Sequence, residues 1–182
     1  MPRLILLNGP PGCGKSTLAR RYVADHPLAL CLDVDRIRAM VGRWQDDVHA
    51  AGLLARASAL AAARVHLQSG HDVVVPQLLA GAQFLEQLAE LAAEVGAQFV
   101  EVALTDSKEN ALRRFAERHR LVSDSAEPGP DHAVSTEEEL SVLYDSVMTF
   151  LATREDAIIV PVVDGGIEAT YRDLTSRLDP ES

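Results

Sequence analysis

Short apolar runs alternate along this chain with longer segments whose apolar positions recur at helical spacing. Leu4-Ile5-Leu6-Leu7, ended by Asn8-Gly9, reads as a strand buried on both faces. Ser16 to Asp25 reads as a helix that stops before Pro27. Leu28 to Asp33 is a second apolar run, followed by a short helix from Asp35 to Val41 and a long Ala-rich helix from Asp46 to Ser69 that Gly70 stops. Val73-Val74-Val75, ended by Pro76, is a third strand. A helix from Gln83 to Val95 leads to a fourth strand at Gln98 to Leu104, then a charged helix from Ser107 to about Arg120. Leu121 to His132 is rich in Ser, Pro, Gly and Asp and reads as a loop. Ser135 opens another helix, with Glu138 completing a capping box. Ala157 to Val163 is a fifth strand and Ile167 to Leu178 the last helix. Alternation of this kind predicts a parallel sheet with helices on both faces and right-handed connections.

The 182 residues suffice for a single domain with a real core, and 47% are hydrophobic. Aromatics are only 4%, so that core must be aliphatic. Lys and Arg number 17 against 27 Asp and Glu, a net charge of -10. A large nucleic-acid footprint is disfavoured, because such surfaces neutralise phosphates with basic residues. A local basic groove remains compatible with that total. Two cysteines, Cys13 and Cys31, make no disulfide framework. The six histidines show no zinc-ligand spacing. With no membrane-spanning run and no leader pattern, the chain is expected to be cytoplasmic and to have no membrane partner. Its oligomeric state cannot be read from the sequence.

The first strand runs into Gly9-Pro10-Pro11-Gly12-Cys13-Gly14-Lys15-Ser16. Glycines at both ends of the turn let backbone N–H groups point inward at phosphate oxygens, and the following helix adds its positive end. Lys15 can reach β- and γ-phosphates, and the Ser16 hydroxyl can ligate Mg2+. The strand before and the helix after are the context that such a phosphate loop requires. Thr17 lies in the helix beside the site and completes the candidate nucleotide-binding set, Gly9 to Thr17. No Asn-Lys-x-Asp guanine motif accompanies it, which favours ATP as the nucleotide.

Leu32-Asp33-Val34-Asp35-Arg36-Ile37-Arg38 follows the second strand. Ligands of open α/β sheets sit beyond the carboxyl ends of the strands, where Asp33 and Asp35 fall. Arg38 lies one helical turn past Asp35 and shares its face. A carboxylate there can orient a hydroxyl and take its proton during phosphoryl transfer, while the arginine holds a polar acceptor. The competing role for Asp35 is a helix N-cap, and Asp33 can hold Mg2+ through water.

A phosphate loop on the first strand with Asp-x-x-Arg after the second resembles the small P-loop kinases, an AAA-type group that includes polynucleotide 5′-hydroxyl kinases, adenylylsulfate kinases and chloramphenicol phosphotransferases. The resemblance covers most of the chain and is specific for the kinase class, not for the substrate. It implies a three-layer α/β/α sandwich of the P-loop NTPase kind, with a five-stranded parallel sheet of order 2-3-1-4-5. It also implies a single domain over residues 1–182 with a small helical lid at about 107–134. In the resembled enzymes an aspartate at the position of Asp35 lies beside the acceptor. A paired arginine lid follows their fourth strand, which points to Arg114 and Arg118, four residues apart on one helical face. Arg113 can stack on adenine, and the turn Val163-Asp164-Gly165-Gly166 matches one that borders it.

The family usually has an aspartate at the end of the third strand, whereas this chain reads Val75-Pro76-Gln77. That makes Gln77 a candidate substrate contact. Trp44 falls in a region that forms the acceptor pocket in related kinases; a lone Trp also anchors helix packing. The expected activity is therefore ATP-dependent phosphoryl transfer to a hydroxyl of a small molecule, with Asp35, Lys15, Arg114 and Arg118 catalytic. Transfer to a polynucleotide 5′-hydroxyl, or nucleotide binding without any acceptor, are the competing expectations.

Overall fold

The structure, a computed structural model, describes residues 1–123, 136–163 and 166–179, with the backbone alone for 118–123. Its strands are β1 (Arg3–Asn8), β2 (Leu30–Cys31), β3 (Val73–Pro76), β4 (Gln98–Thr105) and β5 (Ile158–Pro161). Its α-helices are α1 (Lys15–Asp25), α2 (Val34–Ala39), α3 (Val48–Gln68), α4 (Gln83–Glu94), α5 (Lys108–Ser123), α6 (Glu137–Leu151) and α7 (Ile167–Leu178). A 3₁₀ turn at Trp44–Asp47 leads into α3. All strand pairs are parallel and the sheet order is β2-β3-β1-β4-β5, as expected.

Alternation along the central strands explains the two layers. Leu4 and Leu6 of β1, with Val73 and Val75 of β3, pack against α3 and α4. Ile5 and Leu7, with Val74, face α1 and α7. Both faces are covered, so β1 needs apolar residues at successive positions instead of an apolar–polar alternation. α3 meets the sheet through Ala51, Ala55, Ala59, Ala63 and Leu67, a four-residue repeat that keeps one narrow stripe inward.

Several sequence-predicted boundaries move. β2 shrinks from Leu28–Asp33 to Leu30–Cys31 because it is an edge strand with only β3 as partner, although Leu32 N–H still reaches Val74 O at 2.8 Å. The helix after it begins at Val34, and its N-cap is Asp33, not Asp35. The capping box of α6 is formed by Thr136 and Glu139, one residue beyond the expected Ser135 and Glu138. The loop expected around Pro128-Gly129-Pro130 lies outside the described residues.

At the amino edge of the sheet, Arg3 clasps three elements. Its guanidinium reaches Asp179 at 2.7 Å and the Tyr22 hydroxyl at 2.8 Å, and its main-chain N–H donates to Asp72 at 2.7 Å. Tyr22 in turn donates to Asp72 at 2.6 Å. Burial alone would raise the Asp72 carboxyl, but the bonds from Tyr22 and Arg3 and the Arg3 charge hold it below its ordinary value. A carboxyl depressed in the folded state stabilises the protein above its unfolded pKa and loses that contribution as pH falls through the folded value. Acid unfolding of Asp72→Asn, followed by far-UV dichroism, is therefore expected to show a flatter loss of stability below the ordinary aspartate range than the parent.

Candidate functional site

The residues singled out by the sequence converge on the carboxyl edge of the sheet, where four strands deliver them in spatial order. β2 leads to Asp33 and Asp35, β3 to Gln77, β1 to the phosphate loop, and β4 to α5 with Arg114.

The phosphate loop is held from both sides. Asn8, fully buried, accepts from Gly9 N–H at 2.8 Å and from Leu79 N–H at 2.9 Å, and its Nδ2 donates to Leu79 O at 3.2 Å. One side chain thus pins the start of the loop to the connection after β3. Replacing Asn8 by Ala would leave three partners to find others in a buried place, each worth about 1 kcal/mol or more. A fall of roughly 2–4 kcal/mol in urea-unfolding stability is the expected result.

On the other side Gly12, at φ +77°, lies against α5. A Cβ on Gly12 would stand 2.8 Å from Ala111 O and 3.2 Å from Phe115 N. Only glycine adopts that φ without strain and also admits the helix backbone so closely. The Cys13 side chain is buried in the core cluster on the α1 side, with its Sγ 3.7 Å from Lys15 Nζ. Gly14, also at positive φ, caps α1, which places Ser16 in the first helical turn, half-buried, with Thr17 exposed beside it. Lys15 folds back, its Nζ donating to Gly9 O at 2.9 Å and Pro10 O at 2.8 Å. The loop's backbone, the cation and the serine hydroxyl form a donor set that fits a triphosphate with its magnesium ion.

The Asp33, Asp35 and Arg38 side of the site is built on α2. Asp33 Oδ1 accepts from Asp35 N–H at 3.1 Å and Arg36 N–H at 3.3 Å, which fixes the helix start. Its Oδ2 lies 3.9 Å from Arg36. Asp35 is thereby freed of capping and pairs with Arg38 at 3.2 Å. The Arg38 guanidinium stands over the Trp44 ring, 5.1 Å from its centroid. Trp44 thus packs on the arginine that pairs with Asp35. Gln77 extends β3: its N–H donates to Leu7 O at 3.1 Å and its side chain is buried.

Arg114 forms an ion pair with Asp106, which is 3% exposed at its side chain. Asp106 Oδ1 also accepts from Ser107 N–H at 2.8 Å, and its main-chain carbonyl accepts from the Tyr144 hydroxyl at 2.5 Å. Burial, reinforced by the Asp145 charge, raises the Tyr144 hydroxyl and so keeps it a donor. Lys108 pairs with Asp145 at 2.6 Å, across to α6 instead of along its own helix. Arg113 contacts Asn110 at 3.2 Å and Glu117 at 3.6 Å. The side chain of Arg118, the residues Asp164 and Gly165, and residues 124–135, into which the lid expected at about 107–134 extends, lie outside the described residues. Gly166, the last residue of that turn, is described: Thr170 donates to its carbonyl at 3.2 Å and accepts from Val163 N–H at 3.0 Å.

Sequence reasoning did not assign Asn8 or Asp106 a role. Asn8 carried one signal, a polar residue at the end of an otherwise apolar strand. Asp106 carried the signal of a helix start, which concealed its pairing with Arg114. Among the described residues no cluster of His, Cys, Asp and Glu could hold a metal by itself, and no helix is long and apolar enough to cross a membrane.

Solved structures share the fold over most of the chain. A proposed kinase from Chloroflexus aurantiacus is 15% identical, with a TM-score of 0.69, covering 96% of this chain and 97% of its own. Kti12 from Chaetomium thermophilum, in complex with ADP-AlF3, is 17% identical, with a TM-score of 0.63 and 96% of each chain covered. The APS kinase CysC of Mycobacterium tuberculosis, in complex with AMPPNP and APS, is 20% identical, with a TM-score of 0.50 over 81% of this chain and 98% of that one. No curated protein matches the sequence. The sequence model described as AAA domain matches residues 4–139, which include the phosphate loop, the Asp35–Arg38 pair and Arg114, and the chain therefore belongs to this family of P-loop, kinase-like proteins.

Proposed function

We propose that this protein is an ATP-dependent kinase that transfers the γ-phosphoryl group to a hydroxyl of a small molecule. The observation that carries the reading is the placement of the Asp35–Arg38 pair one strand away from β3 and two from the phosphate loop, on the same edge of the sheet. Neighbours of the same fold hold AMPPNP or ADP-AlF3, which accords with ATP as the donor.

In this reading Gly9 to Thr17 wrap the phosphates, and Lys15 exchanges its two carbonyl partners for β- and γ-phosphate oxygens. Ser16, and Asp33 through its outer carboxylate oxygen and water, would hold Mg2+, which neutralises phosphate charge when bound. Asp35 orients the acceptor hydroxyl and takes its proton as the oxygen bonds to the γ-phosphorus and the bond to the ADP oxygen breaks. Arg38 keeps Asp35 in place, and Arg114 with Arg118 stabilises charge on the transferring group. Residues about 107–134 act as the lid of a single domain.

A polynucleotide acceptor is the less favoured reading because the basic residues of the acceptor side each face an aspartate. Arg36 stands by Asp33, Arg38 by Asp35, and Arg43 by Asp46 at 2.5 Å. A phosphate backbone would have to compete for each of them.

An ADP-release screen across sugars, nucleosides, antibiotics and a 5′-hydroxyl oligonucleotide tests the proposal. Asp35→Asn is expected to lower kcat with the responding acceptor by about 100- to 10,000-fold, the range of general acid–base catalysis. Unchanged turnover in that variant would remove Asp35 from the mechanism. Release that no acceptor accelerates would favour a nucleotide-dependent switch.

A further inference from the structure

The polar groups at the carboxyl edge are satisfied unequally. Asn8 uses both ends of its amide on Gly9 and Leu79. Gln77, 9% exposed, has its Oε1 buried with no hydrogen-bond partner among the described residues. Buried polar side-chain atoms are as a rule paired, and a carboxamide oxygen can only accept. The group that completes Gln77 is therefore a donor.

The face on which that donor must lie follows from the strand. Gln77 N–H donates to Leu7 O, and Pro76 pairs with Leu7, so the ladder continues through Gln77. Val73 and Val75 share its parity and pack on the α3–α4 side, whereas Val74 faces α1 and α7. Gln77 thus projects on the face opposite α1, which carries Ser16. α2 packs on that same side through Val34 and Ile37, so Gln77 projects on the face that also carries the helix of the Asp35–Arg38 pair.

We infer that Gln77 reads a second hydrogen-bond donor on the phosphoryl acceptor, which is therefore a diol, a polyol or an amino alcohol: one hydroxyl is phosphorylated beside Asp35, and a neighbouring hydroxyl or amine is held by Gln77. The inference rests on the kinase reading above. It excludes a carboxylate or phosphate at this position, which would face the amide oxygen with like partial charge. An amide turned the other way would present its NH2 and select such an anion.

The test uses the full chain, 15N-labelled and loaded with MgAMPPNP, with the Gln77 side-chain amide signals assigned by Gln77→Glu. Glycerol, glucose and 2-aminoethanol are titrated as two-donor probes, 1-propanol as a single hydroxyl, and acetate and inorganic phosphate as anions. At least one two-donor probe is expected to shift the Gln77 signals, with 1-propanol and the anions silent. In ADP release with that probe, Gln77→Met is expected to raise KM by about tenfold or more, with the smaller change in kcat. Signals moved by acetate or phosphate, moved equally by 1-propanol, or moved by nothing would overturn the inference while MgAMPPNP binding leaves the kinase reading standing. Failure to bind MgAMPPNP would overturn both. The wild-type titration stands even if Gln77→Met fails to fold.

Discussion

Arg114→Ala is expected to lower both stability and phosphoryl transfer, and the two losses should come apart in a double variant. The substitution leaves Asp106 buried without its cation. Breaking a buried pair from one side costs about 3 kcal/mol or more, because the remaining charge is uncompensated. At this chain length that corresponds to a fall of roughly 10 °C in Tm. Asp106→Asn in the same chain removes the stranded charge and should recover much of the stability. It cannot restore a positive charge beside Gly12, so turnover should stay about 100-fold or more below the parent, as for the loss of one preorganised electrostatic group. Thermal unfolding and ADP release on the four variants of the cycle check both halves. If the double variant regained turnover with stability, Arg114 would be a purely structural residue.

Lys15→Met should do the opposite, abolishing chemistry at nearly constant stability. Among the described residues Lys15 Nζ meets groups of its own loop, Gly9 O, Pro10 O and, at 3.7 Å, Cys13 Sγ, in a half-buried position where water can replace it. The change in unfolding free energy is expected within about 0.5 kcal/mol. Phosphoryl transfer should fall about a thousandfold, since a full charge is removed from where phosphate charge is redistributed. Competition with a fluorescent ATP analogue separates binding from chemistry: weaker binding together with lost kcat is expected. Retention of ordinary turnover would show that the loop backbone alone suffices.

The sheet was legible in the sequence because β1 and β3 hold unbroken apolar runs ended by Asn8 and Pro76, and helical periods fill the gaps between strands. That information is local. The misplaced boundaries are also local in origin, and arise where two neighbouring residues satisfy one rule. Asp33 and Asp35 are both competent caps, and only the direction of the chain leaving β2 selects Asp33. Ser135 and Thr136 stand before three successive glutamates, so the capping box has two registers one residue apart. The phosphate loop was legible as chemistry because its function is carried by backbone shape, which a few glycines dictate. Asn8 was not, because two of its three hydrogen bonds go to Leu79, 71 residues away. Nor was the tie from Tyr144 to Asp106 across 38 residues. Arg114 was found by its helical spacing, but its buried carboxylate partner required the packing of α5 against the loop.

The close seat of α5 on Gly12 has a consequence for control of nucleotide binding. The loop that receives the nucleotide and the helix that carries the arginines meet at backbone distance, with no side chain between them to absorb a shift. Any ligand that favours one seating of α5 must then alter nucleotide affinity, and by linkage nucleotide must alter the affinity for that ligand by the same factor. An acceptor that draws the helix inward would tighten its own cosubstrate, and synergy between the two substrates would be a property of one glycine.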